Sequence, residues 1–322
     1  MSRTVLVAGE TLVDFIPDRS GPLEAVAGFE RRPGGAPANV AVALARLERP
    51  PLFWTRVGDD PFGRYLARTL SEYGLADRFV ERDADAKTTL AFVTHDETGD
   101  REFSFYRDGT ADTRLEPGRI DDETLADCEW VHAGGVALAS GTSRAAMLDL
   151  LERAAAANCL VSFDPNLRPE LWADEDAFAS AIGDALAHVD VCLATVAELE
   201  ALGCAGESPR ALARAASDRW AIHTVFVTRG NEGTVAVARA DAPWPADAVE
   251  HRGFDVDTVD TTGAGDAFVA GAIDALQAGR GLEATAAFAN AVAATATTES
   301  GAMTALPTRD EVATLLEEAR SN

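Results

Sequence analysis

Residues 260–279, DTTGAGDAFVAGAIDALQAG, carry the sharpest signal in the chain. Phe268, Val269, Ala272, Ile273 and Leu276 recur at helical spacing and share one face. Gly263 and Gly265 therefore lie in a loop that opens a helix. Glycines there permit left-handed backbone, and the loop N–H groups can converge on an anion. The positive end of the helix dipole adds to that field. Asp266, at the start of the same helix, would stand beside a bound phosphate. Phosphoryl transfer needs such a pairing: donors for the developing charge, and a base for the proton of the attacking hydroxyl. The same spacing also fits a plain capping turn, because a lone Gly-rich loop is a weak motif. The sequence has no Walker GxxxxGK(S/T) loop and no spaced GxGxxG, and its only lysine, Lys87, is far from the loop. A P-loop enzyme and a typical protein kinase are thereby excluded.

Working outward, short β-branched runs alternate with longer amphipathic ones. The runs at 4–9, 52–57, 90–94, 102–106, 130–133, 160–164, 189–193, 224–228 and 234–238 read as strands. Those at 38–47, 62–73, 143–157, 209–220, 267–278, 283–298 and 309–319 read as helices. This alternation predicts an α/β fold with a mainly parallel sheet covered on both faces. Ligands in such sheets bind at the carboxyl ends of strands. Two stretches break the pattern: 14–32 is long and weakly periodic, and 88–107 reads as a hairpin around the turn at 96–100. We read both as a small lid beside the main sheet. Residues 240–247 read as a Pro-rich loop and not a domain boundary, so 1–322 is expected to form one domain with lid segments near 14–32 and 88–107.

Composition narrows the classes further. The 322 residues carry a net charge of −25, which repels nucleic acid and anionic membrane. Scarce lysine with abundant Asp and Ala resembles proteins of salt-loving organisms, in which salt screens self-repulsion. No apolar run approaches the ~20 residues that span a bilayer. The opening MSRTVLVAGE lacks the layout of a secretory signal, so a cytoplasmic enzyme is expected. Cys128, Cys159, Cys192 and Cys204 show no metal-ligand spacing and read as buried small hydrophobes.

The DTTGAGDAFVAG stretch resembles the C-terminal motif of the ribokinase-like (PfkB) carbohydrate kinases. Further matches follow in family order: Gly34-Gly35-Ala-Pro-Ala-Asn39, Val57-Gly58-Asp59-Asp60-Pro-Phe62-Gly63, Asp164-Pro-Asn166-Leu-Arg168, and Thr228-Arg-Gly230 with Gly233. Together they span about residue 4 to Pro307, and five ordered matches are far more specific than one. The resemblance implies a ribokinase-like three-layer fold with a small β-sheet lid. It also implies ATP-dependent phosphorylation of a sugar hydroxyl, with Asp266 as base and Gly263, Ala264 and Gly265 as the anion hole. Asp14, Gly34, Gly35 and Asn39 would meet the sugar. Arg107, in FYRDGTAD, and Arg168, in DPNLRPELW, would face it too, as in fructokinases. Thr195, Thr228, Gly230, Gly233 and Asn290 would serve the nucleotide, although Asn290 also reads as a mid-helix surface residue. Glu198 would organise Mg²⁺ through water, with Thr195 standing where the family often has Asn. Asp257 and Thr258 resemble its potassium site. Pairing of lids into a homodimer is a common arrangement in the family. Glu48-Arg49-Pro50-Pro51 departs from the usual Gly after the first helix, which alters a connection and not the chemistry. The leading expectation is a fructokinase. A 2-keto-3-deoxygluconate kinase is the nearest rival, since Arg107 and Arg168 suit a carboxylate; ribokinase and nucleoside kinase activities follow. A non-catalytic sugar or nucleotide sensor on the same fold is the reading from another class.

Overall fold

The computed structural model describes residues 4–19, 21–95, 101–244 and 248–321. Its strands in chain order are β1 (Thr4–Ala8), β2 (Leu12–Pro17), β3 (Phe29–Gly34), β4 (Leu52–Gly58), β5 (Val80–Asp83), β6 (Leu90–His95), β7 (Arg101–Tyr106), β8 (Cys128–Gly134), β9 (Leu160–Asp164), β10 (Val191–Thr195), β11 (Thr224–Thr228), β12 (Thr234–Ala238) and β13 (Ala248–His251). The helices are α1 (Ala36–Arg46), α2 (Pro61–Glu72), α3 (Asp122–Asp127), α4 (Ser143–Ala156), α5 (Glu175–Leu186), α6 (Val196–Ala201), α7 (Pro209–Trp220), α8 (Ala264–Gln277), α9 (Leu282–Ala296) and α10 (Arg309–Ser321).

Among the described residues, nine strands form the large sheet in the order β13-β12-β11-β10-β9-β8-β1-β4-β5. Pairing is parallel from β11 through β5 and antiparallel at β12 and β13. The period-2 alternation of each strand explains the two cores. In β1, Val5 and Val7 pack under α1, α8 and α9, whereas Leu6 and Ala8 pack with α4, α5 and α7 on the opposite face. A strand buried on both faces reads as a continuous apolar run, which is why the central strands were legible.

The second sheet has the order β3-β2-β6-β7 and is mixed: β2 runs parallel to β6, with hairpin-like pairing at either edge. Its face is held by rings, with Phe15 stacked on Phe92 at 5.0 Å and Phe29 edge-on to Phe92 at 5.4 Å. Two expectations change here. The stretch 14–32, read as weakly periodic, supplies most of β2 and β3. The strand expected at 189–193 lies at Val191–Thr195, because Asp190 turns back to accept a hydrogen bond from the Val161 N–H (2.8 Å). β5, β13, α3, α5 and α6 had no counterpart in the sequence reading. The turn at 96–100, and 245–247 of the Pro-rich loop, lie outside the described residues. No helix among the described residues is long and apolar enough to cross a membrane.

Candidate active site

The large sheet opens at its carboxyl edge onto a cavity of about 360 Å³. Asp164 ends β9, Thr195 ends β10 and Thr228 ends β11, and all three line it. Phe103 and Phe105 of β7, with Asp14 of β2, cover it from the small sheet. The size falls within the range of small-molecule sites, roughly 300–1,000 Å³.

Gly263 is the residue preceding α8, at φ 77°, and supplies no side-chain cap. The Ala264 N–H donates to Thr261 O (3.2 Å), and no side chain caps the N–H groups of Gly265 and Asp266 that follow. Gly263, Gly265 and Asp266 line the cavity; Ala264 opens the helix without entering the wall. Asp260 holds this loop in place. Its carboxylate accepts from the Thr262 N–H (2.9 Å), the Thr262 hydroxyl (2.6 Å) and the Gly301 N–H (2.9 Å). Asp266 does not act as the capping side chain; its Oδ2 accepts from Asn39 Nδ2 at 2.7 Å. Loss of water around Asp266 raises its carboxyl to about 6, against the opposing effects of the Asn39 bond and the Arg168 charge. It stays mostly ionised at neutral pH and is a stronger base than a free aspartate.

Asn39 sits on the first turn of α1, which starts in an unusual way. Gly35 precedes the helix at φ 103°, and a Cβ there would lie 2.6 Å from the Glu10 carbonyl oxygen. Only glycine fits this crossing. Lacking a side chain, Gly35 cannot cap α1. Glu10, just beyond β1, does so from outside, its Oε1 accepting from the Ala36 N–H (3.2 Å). Gly35 lines the cavity; Gly34 lies behind it, accepting from the Thr11 hydroxyl.

The nucleotide-side candidates divide. Thr195 caps α6 and forms a reciprocal capping box with Glu198. Glu198 Oε2 accepts from the Thr195 N–H (2.8 Å) and Oε1 from the Leu167 N–H (2.8 Å). A side chain pinned in this way suits a hydrated Mg²⁺ held through water, since magnesium keeps several waters. Among the described residues no group of three or more His, Cys, Asp or Glu is arranged to hold a metal. Burial, with Glu198 and Asp266 nearby, holds Asp164 well above the usual carboxylate range. Thr228 lines the cavity, whereas Gly230 and Gly233 form the turn behind it, with Gly233 against the His251 carbonyl. Asn290 is neither a wall residue nor a surface one. It is buried in α9, donating to Ala286 O (2.7 Å) and accepting from the Thr234 hydroxyl (3.3 Å). Asp257 and Thr258 are exposed on the loop before Asp260, outside the wall.

The two arginines also part. Arg168 lines the cavity, donates to Leu167 O (2.8 Å) and lies over the Phe103 ring at 5.6 Å. Arg107 is 5% exposed and stands off the wall, its Nε paired with Asp112 at 2.7 Å. The sequence reading missed Glu10 as a site residue and gave no role to Asp164 or Thr262. Glu10 carries no motif; its one cue is an acid placed at the end of an apolar strand run.

The pfkB family carbohydrate kinase profile matches residues 2–309. A fructokinase of Vibrio alginolyticus is 35% identical over 314 residues, covering 96% of this chain and 97% of that protein. The crystal structure of fructokinase with bound ATP from Xylella fastidiosa superposes with a TM-score of 0.88 at 32% identity, covering 99% and 100% of the two chains. Fructokinase from Vibrio cholerae O395, in a form with fructose, ADP and calcium ion bound, superposes with a TM-score of 0.83 at 33% identity, covering 98% and 100%. A double mutant of that enzyme has been seen with fructose, ADP and potassium ion.

Proposed function

The chain belongs to the pfkB family of carbohydrate kinases, and we propose that it transfers the γ-phosphoryl group of ATP to fructose, giving fructose 6-phosphate. One observation carries the choice of acceptor. The ionisable side chains of the cavity wall are five acids, Glu10, Asp14, Asp164, Glu198 and Asp266, against the single cation of Arg168. Arg107, the second cation that a sugar acid would want, is already paired with Asp112. A neutral polyol exchanges hydrogen bonds with such acids in either protonation state, whereas a 2-keto-3-deoxygluconate carboxylate would meet one cation and be repelled by ionised Asp266. The fructokinase relatives support the same acceptor.

In this reading the sugar lies between Asp14, Gly35 and Asn39, beneath Phe103 and Phe105. Asn39 orients Asp266, which accepts the proton of the attacking hydroxyl. The Gly263–Gly265 loop and the α8 N-terminus stabilise charge on the transferred group, and Arg168 donates to it from the opposite wall. Glu198 would hold Mg²⁺ through water, and the bound ion would neutralise phosphate charge. A K⁺ near Asp257 and Thr258 would act on the loop that Asp260 ties to Gly301. The test is a coupled ADP-release assay in concentrated KCl with Mg²⁺, comparing fructose, 2-keto-3-deoxygluconate, ribose and adenosine. Preferential turnover of fructose is expected; preference for the keto-acid would overturn the acceptor and leave the kinase chemistry standing.

A further inference from the structure

The chain crosses between the two sheets four times: after β1, after β3, before β6 and after β7. The crossings are tied by buried polar contacts. The Thr11 hydroxyl donates to Gly34 O (3.2 Å), the Val13 N–H to Thr89 O (3.1 Å) and the Ala111 N–H to Lys87 O (2.9 Å). The Thr89 and Thr110 hydroxyls meet each other and Asp112. Within this knot two buried atoms of ionisable side chains have no hydrogen-bond partner: Glu10 Oε2 and Arg107 Nη2. Glu10 is on the first crossing and Arg107 on the fourth. Arg107 is the foremost charge acting on the Glu10 carboxyl, which burial pushes up to about 7; Asp112 and Arg168 are the other charges acting on it. Asp14 on β2 and Asp266 on α8 line the same cavity as Glu10.

A buried carboxylate oxygen and a buried guanidinium nitrogen are each costly when unpaired. Glu10 lines the cavity while its Oε2 is buried, and Arg107 stands behind the wall. Because Glu10 and Arg107 stand on different crossings at the root of the small sheet, a movement of that sheet relative to the large one changes their separation. We propose that Glu10 and Arg107 are a positioning pair at the root of the small sheet: closure of that sheet over the sugar joins Glu10 Oε2 to Arg107 Nη2, so the ion pair and the bound sugar stabilise one another. Glu10 suits this role because its other oxygen caps α1, whose first turn carries Asn39. The proposal rests on the kinase reading of the cavity, but not on fructose as the acceptor.

The experiment is a double-mutant cycle on the full chain, run with the sugar that wild type turns over best. Glu10→Gln keeps the volume and an acceptor for Ala36 and removes the charge; Arg107→Lys keeps a cation for Asp112 and removes Nη2. Each single change is expected to raise the sugar KM on the order of tenfold, and the double variant by little more than the larger single effect. The ATP KM should move by less than about threefold, because the pair acts on the sugar side. Effects that multiply to ~100-fold would overturn the proposal, as would an ATP KM rising in step with that of the sugar. If Arg107→Lys fails to fold, Glu10→Gln decides alone: an unchanged sugar KM in a folded, active variant refutes the pair. Failure of the fructose reading shows separately, as wild type that ignores fructose.

Discussion

Replacing Asp266 by asparagine should abolish most turnover while making the protein more stable. The carboxyl moves from an ordinary 3.8 to about 6 on folding, chiefly through loss of water. Each unit is worth about 1.4 kcal/mol, so the ionised form is disfavoured by up to roughly 3 kcal/mol in the fold. Asp266 is only partly buried beside an open cavity, which reduces this to about 1–2 kcal/mol. The amide introduced by Asp266→Asn would still accept the Asn39 hydrogen bond and carry no charge. The expected gain is about 2–4 °C in Tm at pH 7.5, taking ~2 °C per kcal/mol for a chain of this length. The sign follows from the raised pKa. The folded state holds the proton more tightly, so the wild-type penalty is complete above about 6 and vanishes below about 4. The stability difference between variant and wild type should therefore fade as pH drops through that window. Over the same range wild-type kcat should fall with a single ionisation near 6, and the variant should lose on the order of 10²–10⁴ in kcat. Calorimetry and the ADP-release assay measure both. Near-normal turnover, or a variant less stable than wild type at pH 7.5, would refute the assignment of Asp266 as a desolvated base.

Three further outcomes follow. Gly35→Ala forces a Cβ against the Glu10 carbonyl at positive φ and should cost about 1–3 kcal/mol, with a raised sugar KM; wild-type melting and KM would contradict the close approach. Thr195→Val removes the hydroxyl of the capping box, costing about 0.5–2 kcal/mol. It should also raise the Mg²⁺ concentration needed for half-maximal rate, because Glu198 loses a donor that fixes it; a magnesium titration matching wild type would count against Glu198 as the water-mediated partner. With a net charge of −25, Tm should climb between about 0.1 M and 1 M KCl as the Debye length shrinks from ~10 to ~3 Å, and a flat or falling Tm would remove the salt-loving interpretation.

What could be read from the sequence tracks how each part is buried. β9, β11 and β12 matched their expected limits because strands covered on both faces leave unbroken apolar runs. β3, with the sequence FERRPG, belongs to an edge with one face wet, so its alternation is diluted by charge. The glycine loop that opens α8 was legible through spacing, since a helix start and its glycines are local features, but spacing also fitted a plain capping turn, and the roles expected of the loop and of Asn39 came from the family resemblance. Glu10 and Arg107 depend on contacts between distant crossings, and no local pattern shows which arginine will be drawn away by Asp112. Asn290 shows the same limit: expected at the nucleotide through the resemblance, or else on the surface as a polar residue within a helix, it is satisfied in the core by Ala286 and Thr234.

The small sheet also bears on how such enzymes can be recombined. β2–β3 and β6–β7 reach it from separate stretches of chain, and β2 pairs with β6 across that gap. It is not a cassette that one cut can lift out. A chimera that exchanges only residues 89–107 would put foreign residues at 107, whose arginine charge acts on the resident Glu10, and at 89, whose threonine hydroxyl meets that of Thr110. The pairing of β2 with β6 ties the two segments together, and a graft that keeps the small sheet intact has to carry both.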